Sequence, residues 1–149
     1  MKIKSKAARR VAHGLASSTS ARGLDAPVAT SEVRRLALAV AEAGLDKKAT
    51  DVEIIDVTGK VDYADFLVLM TGQSDRHVAA IAEWVDESLG KRGFHCISLE
   101  GLPRAEWVLI DFVDVVVHVF QERTRALYDL DGLWMDAGRV HMPEGSGAP

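Results

Sequence analysis

Cysteine, long apolar runs and metal-ligand spacings are scarce in this chain of 149 residues. Cys96 is the single cysteine, so no disulfide can form within the chain. The longest apolar runs, such as Phe66–Met70, fall far short of the roughly 20 residues that a membrane-spanning helix needs. The histidines are scattered and show no zinc-binding spacing. We therefore expect no disulfide scaffold, no membrane helix and no metal site.

Positive charge is scarce in most of the sequence. Residues 1–29 hold six of the 18 Lys and Arg residues but one of the 22 Asp and Glu residues, a net charge of +5. The remaining 120 residues therefore carry −9. Nucleic-acid surfaces usually show clustered Lys and Arg, and opposite potentials steer association. We therefore expect a basic protein partner and no sequence-specific binding of nucleic acid.

Composition divides the chain into three parts. Residues 1–29 are basic, rich in Ser and Ala and without apolar periodicity, which predicts a mobile arm. The low acid content also fits an organelle transit peptide, although a loose bacterial extension or an overlong start is the favoured interpretation. Residues 30–142 are predicted to form one domain, and residues 143–149 a disordered tail.

Apolar spacing in residues 30–142 alternates between helical and strand patterns. Val78, Ile81, Ala82, Val85 and Leu89 form one helical stripe, for example. The predicted elements, in order, are a helix from Ser31 to Gly44, strands Val52–Val57 and Asp65–Thr71, a helix from Ser74 to Gly93, strands Phe94–Leu99, Trp107–Ile110 and Val115–Phe120, and a helix Glu122–Leu130. This order predicts an α/β (α+β) fold with a mixed sheet of about five strands.

Two enzyme-like patterns surround Ser74, and neither is complete. A nucleophile elbow needs a small residue two positions after the serine, where this chain has Arg76. A nucleotidyltransferase site needs paired carboxylates on a nearby strand, and Phe94–Leu99 has none. Ser74 is better explained as a helix cap, so we expect no catalytic residue and no cofactor.

Trp107 is the leading candidate for contact with a partner. In a strand, Trp107, Leu109 and Asp111 share one face, and Val108 and Ile110 the other. A tryptophan beside acidic residues fits an interface anchor, but one that covers the sheet from within is equally compatible.

Histidines are less informative. His118, inside the strand Val115–Phe120, fits a hydrogen-bonded structural residue better than a base or a ligand. His77, beside Arg76 at a helix start, could face a partner or only solvent.

The segment from Trp107 carries a distinctive pattern, W-V-L-x-D-x-x-D-V-V-V-H-V-F followed by Y-x-L-x-x-L-W from Tyr128. With Asp51–Val57, Asp65–Val78 and Glu100-Gly101, the pattern resembles the ribosomal silencing factors, also called the iojap family, over about residues 31–136. One departure stands out, because Val113 occupies a turn position where that family usually has glycine. Valine suits positive φ poorly, so the turn is predicted to be strained or altered.

The resemblance implies a role without catalysis. Such proteins bind the large ribosomal subunit through its protein numbered fourteen, block joining of the small subunit and lower translation under nutrient limitation. It also implies a nucleotidyltransferase-like sheet without the catalytic carboxylates, a bacterial cytoplasmic location and a possible homodimer when free. Organellar large-subunit assembly and a nucleotidyltransferase-like activity remain as alternatives. The candidate partner-binding residues are Glu100, Trp107, Val108, Ile110, Asp111, Asp114, Arg76 and His77.

Overall fold

The computed structural model describes residues 28–142. The tail predicted at residues 143–149 and most of the arm predicted at residues 1–29 lie outside this range. The described elements are α1 (Ser31–Asp46), β1 (Thr50–Asp56), β2 (Phe66–Gly72), α2 (Asp75–Lys91), β3 (Ser98–Glu100), β4 (Trp107–Asp111), β5 (Val115–Gln121), α3 (Glu122–Tyr128), α4 (Leu130–Leu133) and β6 (Gly138–Val140). The fold is a mixed six-stranded sheet with flanking helices, which confirms the predicted class.

The sheet has the strand order β3-β4-β5-β2-β1-β6. Strands β2 and β5 run parallel, and the other neighbouring pairs within residues 28–142 are antiparallel. Every residue of β2 is buried, as its continuous apolar sequence predicted for a central strand covered on both faces. Helices α1 and α2 cover one face of the sheet, and a second apolar cluster that includes Trp107, Leu130 and Trp134 covers the other.

Both long helices begin where capping residues predicted. Thr30 Oγ1 accepts a hydrogen bond from the Val33 amide at 3.2 Å, and Ser74 Oγ accepts one from the His77 amide at 3.1 Å. Gly44 does not end α1, however, because the helix continues to Asp46. A Cβ at Gly44 would lie 2.5 Å from Met70 Sδ, so this glycine allows close packing of α1 on β2 instead.

Three predicted elements are wrong in extent or number. The strand at Phe94–Leu99 is reduced to Ser98–Glu100, because its partner β4 ends opposite Ser98 at Asp111. The helix Glu122–Leu130 is divided at Asp129, which adopts φ +46° and whose carboxylate caps α4 at the Gly132 amide. The sixth strand, Gly138–Val140, was not predicted, because its three residues form a strand only by pairing with β1.

Candidate protein-docking surface

Trp107 anchors the second apolar cluster rather than standing at the surface. Its side chain is 8% exposed, and the indole Nε1 donates a hydrogen bond to His118 Nδ1 at 3.0 Å. Its ring lies 5.6 Å from the Phe120 ring and 4.6 Å from the Tyr128 ring, measured between centroids. A buried indole of this kind usually needs such a hydrogen-bond partner. Of the two interpretations of Trp107, its position in the structure therefore favours the core.

His118 is a neutral structural residue. It is fully buried, and burial, with a smaller contribution from the Arg125 charge, lowers the pKa of its imidazole to about 3. Since Nδ1 accepts the Trp107 hydrogen bond, the ring proton is on Nε2. This arrangement agrees with the structural role predicted for His118.

Asp111 and Asp114 shape the tip of the β4–β5 hairpin in different ways. Asp111 is 1% exposed, and its Oδ1 accepts a hydrogen bond from the Val113 amide at 2.8 Å. The Asp114 side chain is exposed, while its amide donates to the Phe112 carbonyl at 3.0 Å. Asp111 was a candidate partner-binding residue, and its burial corrects that prediction. Of the two aspartates at this tip, Asp114 is therefore the one that a partner could reach.

Val113 is held in a strained conformation, as its departure from glycine predicted. Its φ is +76°, and the hydrogen bond from Asp114 N to Phe112 O closes a three-residue turn around it. That is the φ of a γ-turn of the rare, strained kind, and a β-branched residue is especially unsuited to it.

Val113→Gly is therefore expected to stabilise the protein by about 1 kcal/mol. Relief of backbone strain contributes roughly 1–3 kcal/mol, and the greater unfolded-state entropy of glycine offsets about 0.5–1 kcal/mol of it. Thermal unfolding should show a rise of about 3–4 °C in melting temperature. Val113→Ala, which keeps a Cβ, should give a smaller gain. A lower melting temperature for Val113→Gly would contradict the strain.

Five further predicted site residues do not join Trp107 in one site. Val108 and Ile110 are fully buried in the apolar cluster beneath α2, so their side chains cannot contact a partner, which corrects that prediction. His77 uses both ring nitrogens internally: Nδ1 accepts from the Gln73 amide at 2.8 Å, and Nε2 lies 2.7 Å from the Lys47 carbonyl. Arg76 is exposed at the start of α2, and Glu100 is half-buried at the end of β3.

Four exposed apolar side chains lie on α3, on α4 and in the turn after α4, a segment that the sequence interpretation missed. Leu127, Tyr128, Leu133 and Met135 are 73%, 38%, 45% and 76% exposed. We call these four side chains the α3–α4 surface. Leu130 and Trp134 of the same segment point inward, so the apolar content exceeds what one buried face can use. That excess was visible in the sequence. Several large apolar side chains left exposed on one short segment are candidates for an interaction site.

A polar cleft of about 500 Å³ opens at the carboxyl ends of the parallel strands β2 and β5. Its lining residues are Thr50, Asp51, Thr71, Gly72, Gln73, Gln121, Glu122 and Arg123. Two carboxylates therefore border Gly72 and Gln73, although they come from β1 and α3 and not from the strand after α2. Within residues 28–142, no three potential metal-ligating side chains converge. In the same range, no helix combines the length and apolarity needed to cross a membrane.

The described residues form a mixed-sheet domain with exposed apolar side chains on its last helices, and comparison with known proteins gives its family. A family model described as ribosomal silencing factor during starvation matches residues 30–148. The chain belongs to the ribosomal silencing factor family, whose description is regulatory rather than catalytic.

Individual relatives agree with that assignment. Ribosomal silencing factor RsfS of Halalkalibacterium halodurans is 42% identical over 97 residues, which are 65% of this chain and 83% of that protein. A crystal structure of a Chromobacterium violaceum protein is similar with a TM-score of 0.65 and 32% identity, covering 82% of this chain and 98% of that one. The mouse mitochondrial assembly of ribosomal large subunit protein 1 is 30% identical over 59% of this chain and 40% of its own length.

Proposed function

We propose that this protein represses translation by binding the large ribosomal subunit through its ribosomal protein numbered fourteen, which blocks joining of the small subunit. The observation that carries the proposal is the α3–α4 surface, an exposed apolar patch on a chain of known family. The −9 charge of residues 30–149 supports a basic protein as the occupant, because complementary potentials favour encounter.

Within this proposal the contact residues differ from those that the sequence suggested. Leu127 and Met135 have the largest exposed apolar side chains and are the proposed anchors. Trp107 supports this surface from its buried side, since its ring packs on the Tyr128 ring. Asp114, Glu100 and Arg76 remain proposed as peripheral contacts.

The protein is expected to cosediment with large ribosomal subunits and not with small ones. It should also lower the yield of joined ribosomes when the two subunits are mixed with magnesium, because the bound protein occupies space that the small subunit needs. Sucrose-gradient sedimentation measures both effects. Raising the salt concentration should weaken binding, since charges are screened within about 10 Å at 0.1 M. Equal binding to both subunits, or to neither, would contradict the proposal.

A second copy of the chain is the competing occupant of the α3–α4 surface. A homodimer of the free protein would bury the same side chains, and it should then dissociate when large subunits are added. Analytical ultracentrifugation of the free protein, with Leu127→Ala as the comparison, measures this. A dimer that Leu127→Ala leaves intact would place self-association elsewhere.

Assembly of an organellar large subunit is the alternative function, in place of repression in a bacterial cytoplasm. Two observations favour it: the mouse relative is named for mitochondrial ribosome assembly, and residues 1–29 are basic with a single acid. The mass of the protein isolated from its own cells distinguishes the two, because a transit peptide would have been removed.

The polar cleft provides a test against an enzymatic function. We expect no nucleotidyl transfer or hydrolysis when the protein is incubated with magnesium and labelled nucleotides, since Ser74 caps α2 and the two acidic residues of the cleft lining, Asp51 and Glu122, lie on β1 and α3 and not together on one strand. Turnover should not exceed that of a buffer blank. Turnover that Asp51→Asn or Glu122→Gln abolishes would show that the cleft is an active site.

A further inference from the structure

Arg125 joins α3 to three other parts of the fold, two of which are distant in sequence. Its side chain is 11% exposed, and its guanidinium forms a two-pronged ion pair with Asp131, Nε to Oδ2 at 2.9 Å and Nη2 to Oδ1 at 2.8 Å. The remaining nitrogen, Nη1, donates to the Asp51 carbonyl at 2.6 Å and to Thr71 Oγ1 at 2.9 Å. One side chain therefore ties α3 to α4, to the start of β1 and to the end of β2.

Apart from Leu130 and the packing of Tyr128 on Trp107, the last two helices bury little of their own surface. Within α3 no residue is fully buried, and within α4 only Leu130 is. Helices of seven and four residues are also too short to be stable alone. The hydrogen bonds from Arg125 lower the pKa of Asp131, so the ion pair persists in mildly acidic solution. The Arg125 guanidinium thus provides the polar contacts that tie α3 and α4 to each other and to the sheet.

We infer that Arg125 is the positioning residue of the α3–α4 surface: it fixes Leu127, Tyr128, Leu133 and Met135 for docking without contacting the partner itself. Arg125 is two residues from Leu127, and its partner Asp131 is two residues from Leu133. The Arg125–Asp131 ion pair therefore sets the angle between α3 and α4. This inference rests on the proposed docking function and adds to it the residue that preorganises the surface. Preorganised surfaces bind more tightly because less ordering is needed on association.

The first test is Arg125→Lys, which keeps the charge but cannot span both carboxylate oxygens and the two other acceptors. We expect binding to large subunits to weaken about tenfold, the loss typical of a misplaced anchor. Arg104→Lys is the matched control. It makes the same change in an ion pair with Glu106 whose arginine side chain is 72% exposed, and such pairs contribute little. Binding by Arg104→Lys should be unchanged.

A double-mutant cycle separates positioning from general stability. Leu127→Ala alone should weaken binding about tenfold, but in the Arg125→Lys background it should add less than about twofold, because the displaced surface no longer presents Leu127 to the partner. Hydrogen exchange should quicken at the Asp129, Leu133 and Trp134 amides, whose hydrogen bonds hold α3 and α4, and stay unchanged in β2 and β5. Full additivity, or faster exchange throughout the sheet, would overturn the inference.

Asp131→Asn is the milder second variant, for use if Arg125→Lys does not fold. It removes the negative charge from the ion pair with Arg125 and leaves the hydrogen bonds from Arg125 to Asp51 and Thr71. Binding is therefore expected to be about threefold weaker. If Leu127→Ala and Met135→Ala do not affect binding, the docking proposal itself fails. If those variants weaken binding but Arg125→Lys and Asp131→Asn do not, only the positioning role is wrong.

Discussion

The double variant Leu127→Ala with Met135→Ala is expected to bind large ribosomal subunits about 100-fold more weakly than the parent protein. The two side chains are 73% and 76% exposed, so they contribute little to the core and their truncation should not lower the melting temperature. At a partner interface, each such anchor contributes roughly 1–2 kcal/mol, and a total near 3 kcal/mol corresponds to about 100-fold in affinity. A fluorescently labelled protein titrated with purified large subunits measures the change.

Ile97→Ala provides the matched control for that experiment. Ile97 is also a large, exposed apolar side chain, at 62%, but its amide bonds to Asp111, at the opposite end of β4 from Trp107. If binding depended only on general surface hydrophobicity, Ile97→Ala would weaken binding as much as Leu127→Ala does. Normal binding by Ile97→Ala together with weak binding by the double variant would localise the partner to the α3–α4 surface. Normal binding by both would remove this surface from the proposal.

Trp107→Ala is expected to destabilise the fold by about 3–5 kcal/mol, because the variant leaves a large cavity beneath Tyr128 and Trp134 and removes the hydrogen bond to His118. Domains of this size unfold with roughly 5–15 kcal/mol, so the variant should lose a large part of its stability. Denaturant unfolding followed by circular dichroism measures the change. Trp107→Phe, which keeps an aromatic ring but leaves His118 Nδ1 unpaired, should lose about 1–3 kcal/mol.

This expectation replaces the interface interpretation of Trp107. An anchor in direct contact with the partner would lose binding while its melting temperature stayed constant. The buried position predicts that Trp107→Ala lowers the melting temperature. Weaker binding would then follow because Tyr128 loses the ring that it packs against. A stable Trp107→Ala variant that fails to bind would restore the direct contact and contradict the core assignment.

The sequence alone determined the central elements, because their signals are local. A continuous apolar run fixed β2, the helical stripe and the Ser74 cap fixed α2, and alternation placed Trp107 and Val108 on opposite faces of β4. Side-chain period and capping are properties of neighbouring residues, so no tertiary information was needed. The strain at Val113 was also predictable, since it follows from a β-branched residue at a position suited to glycine.

The tertiary structure decided which residues are accessible. Burial of Trp107, Asp111 and Ile110 depends on what packs over each sheet face, and α1, α2 and the returning α3–α4 segment supply that cover from distant parts of the chain. The short strand β6 likewise exists only because β1 offers an edge to pair with. The candidate partner-binding residues that were chosen from the strand face alone were therefore partly wrong. The apolar excess of residues 127–135 is visible in the sequence, but only the fold shows that Leu130 and Trp134 fill the inner side and that Leu127 and Met135 are left exposed.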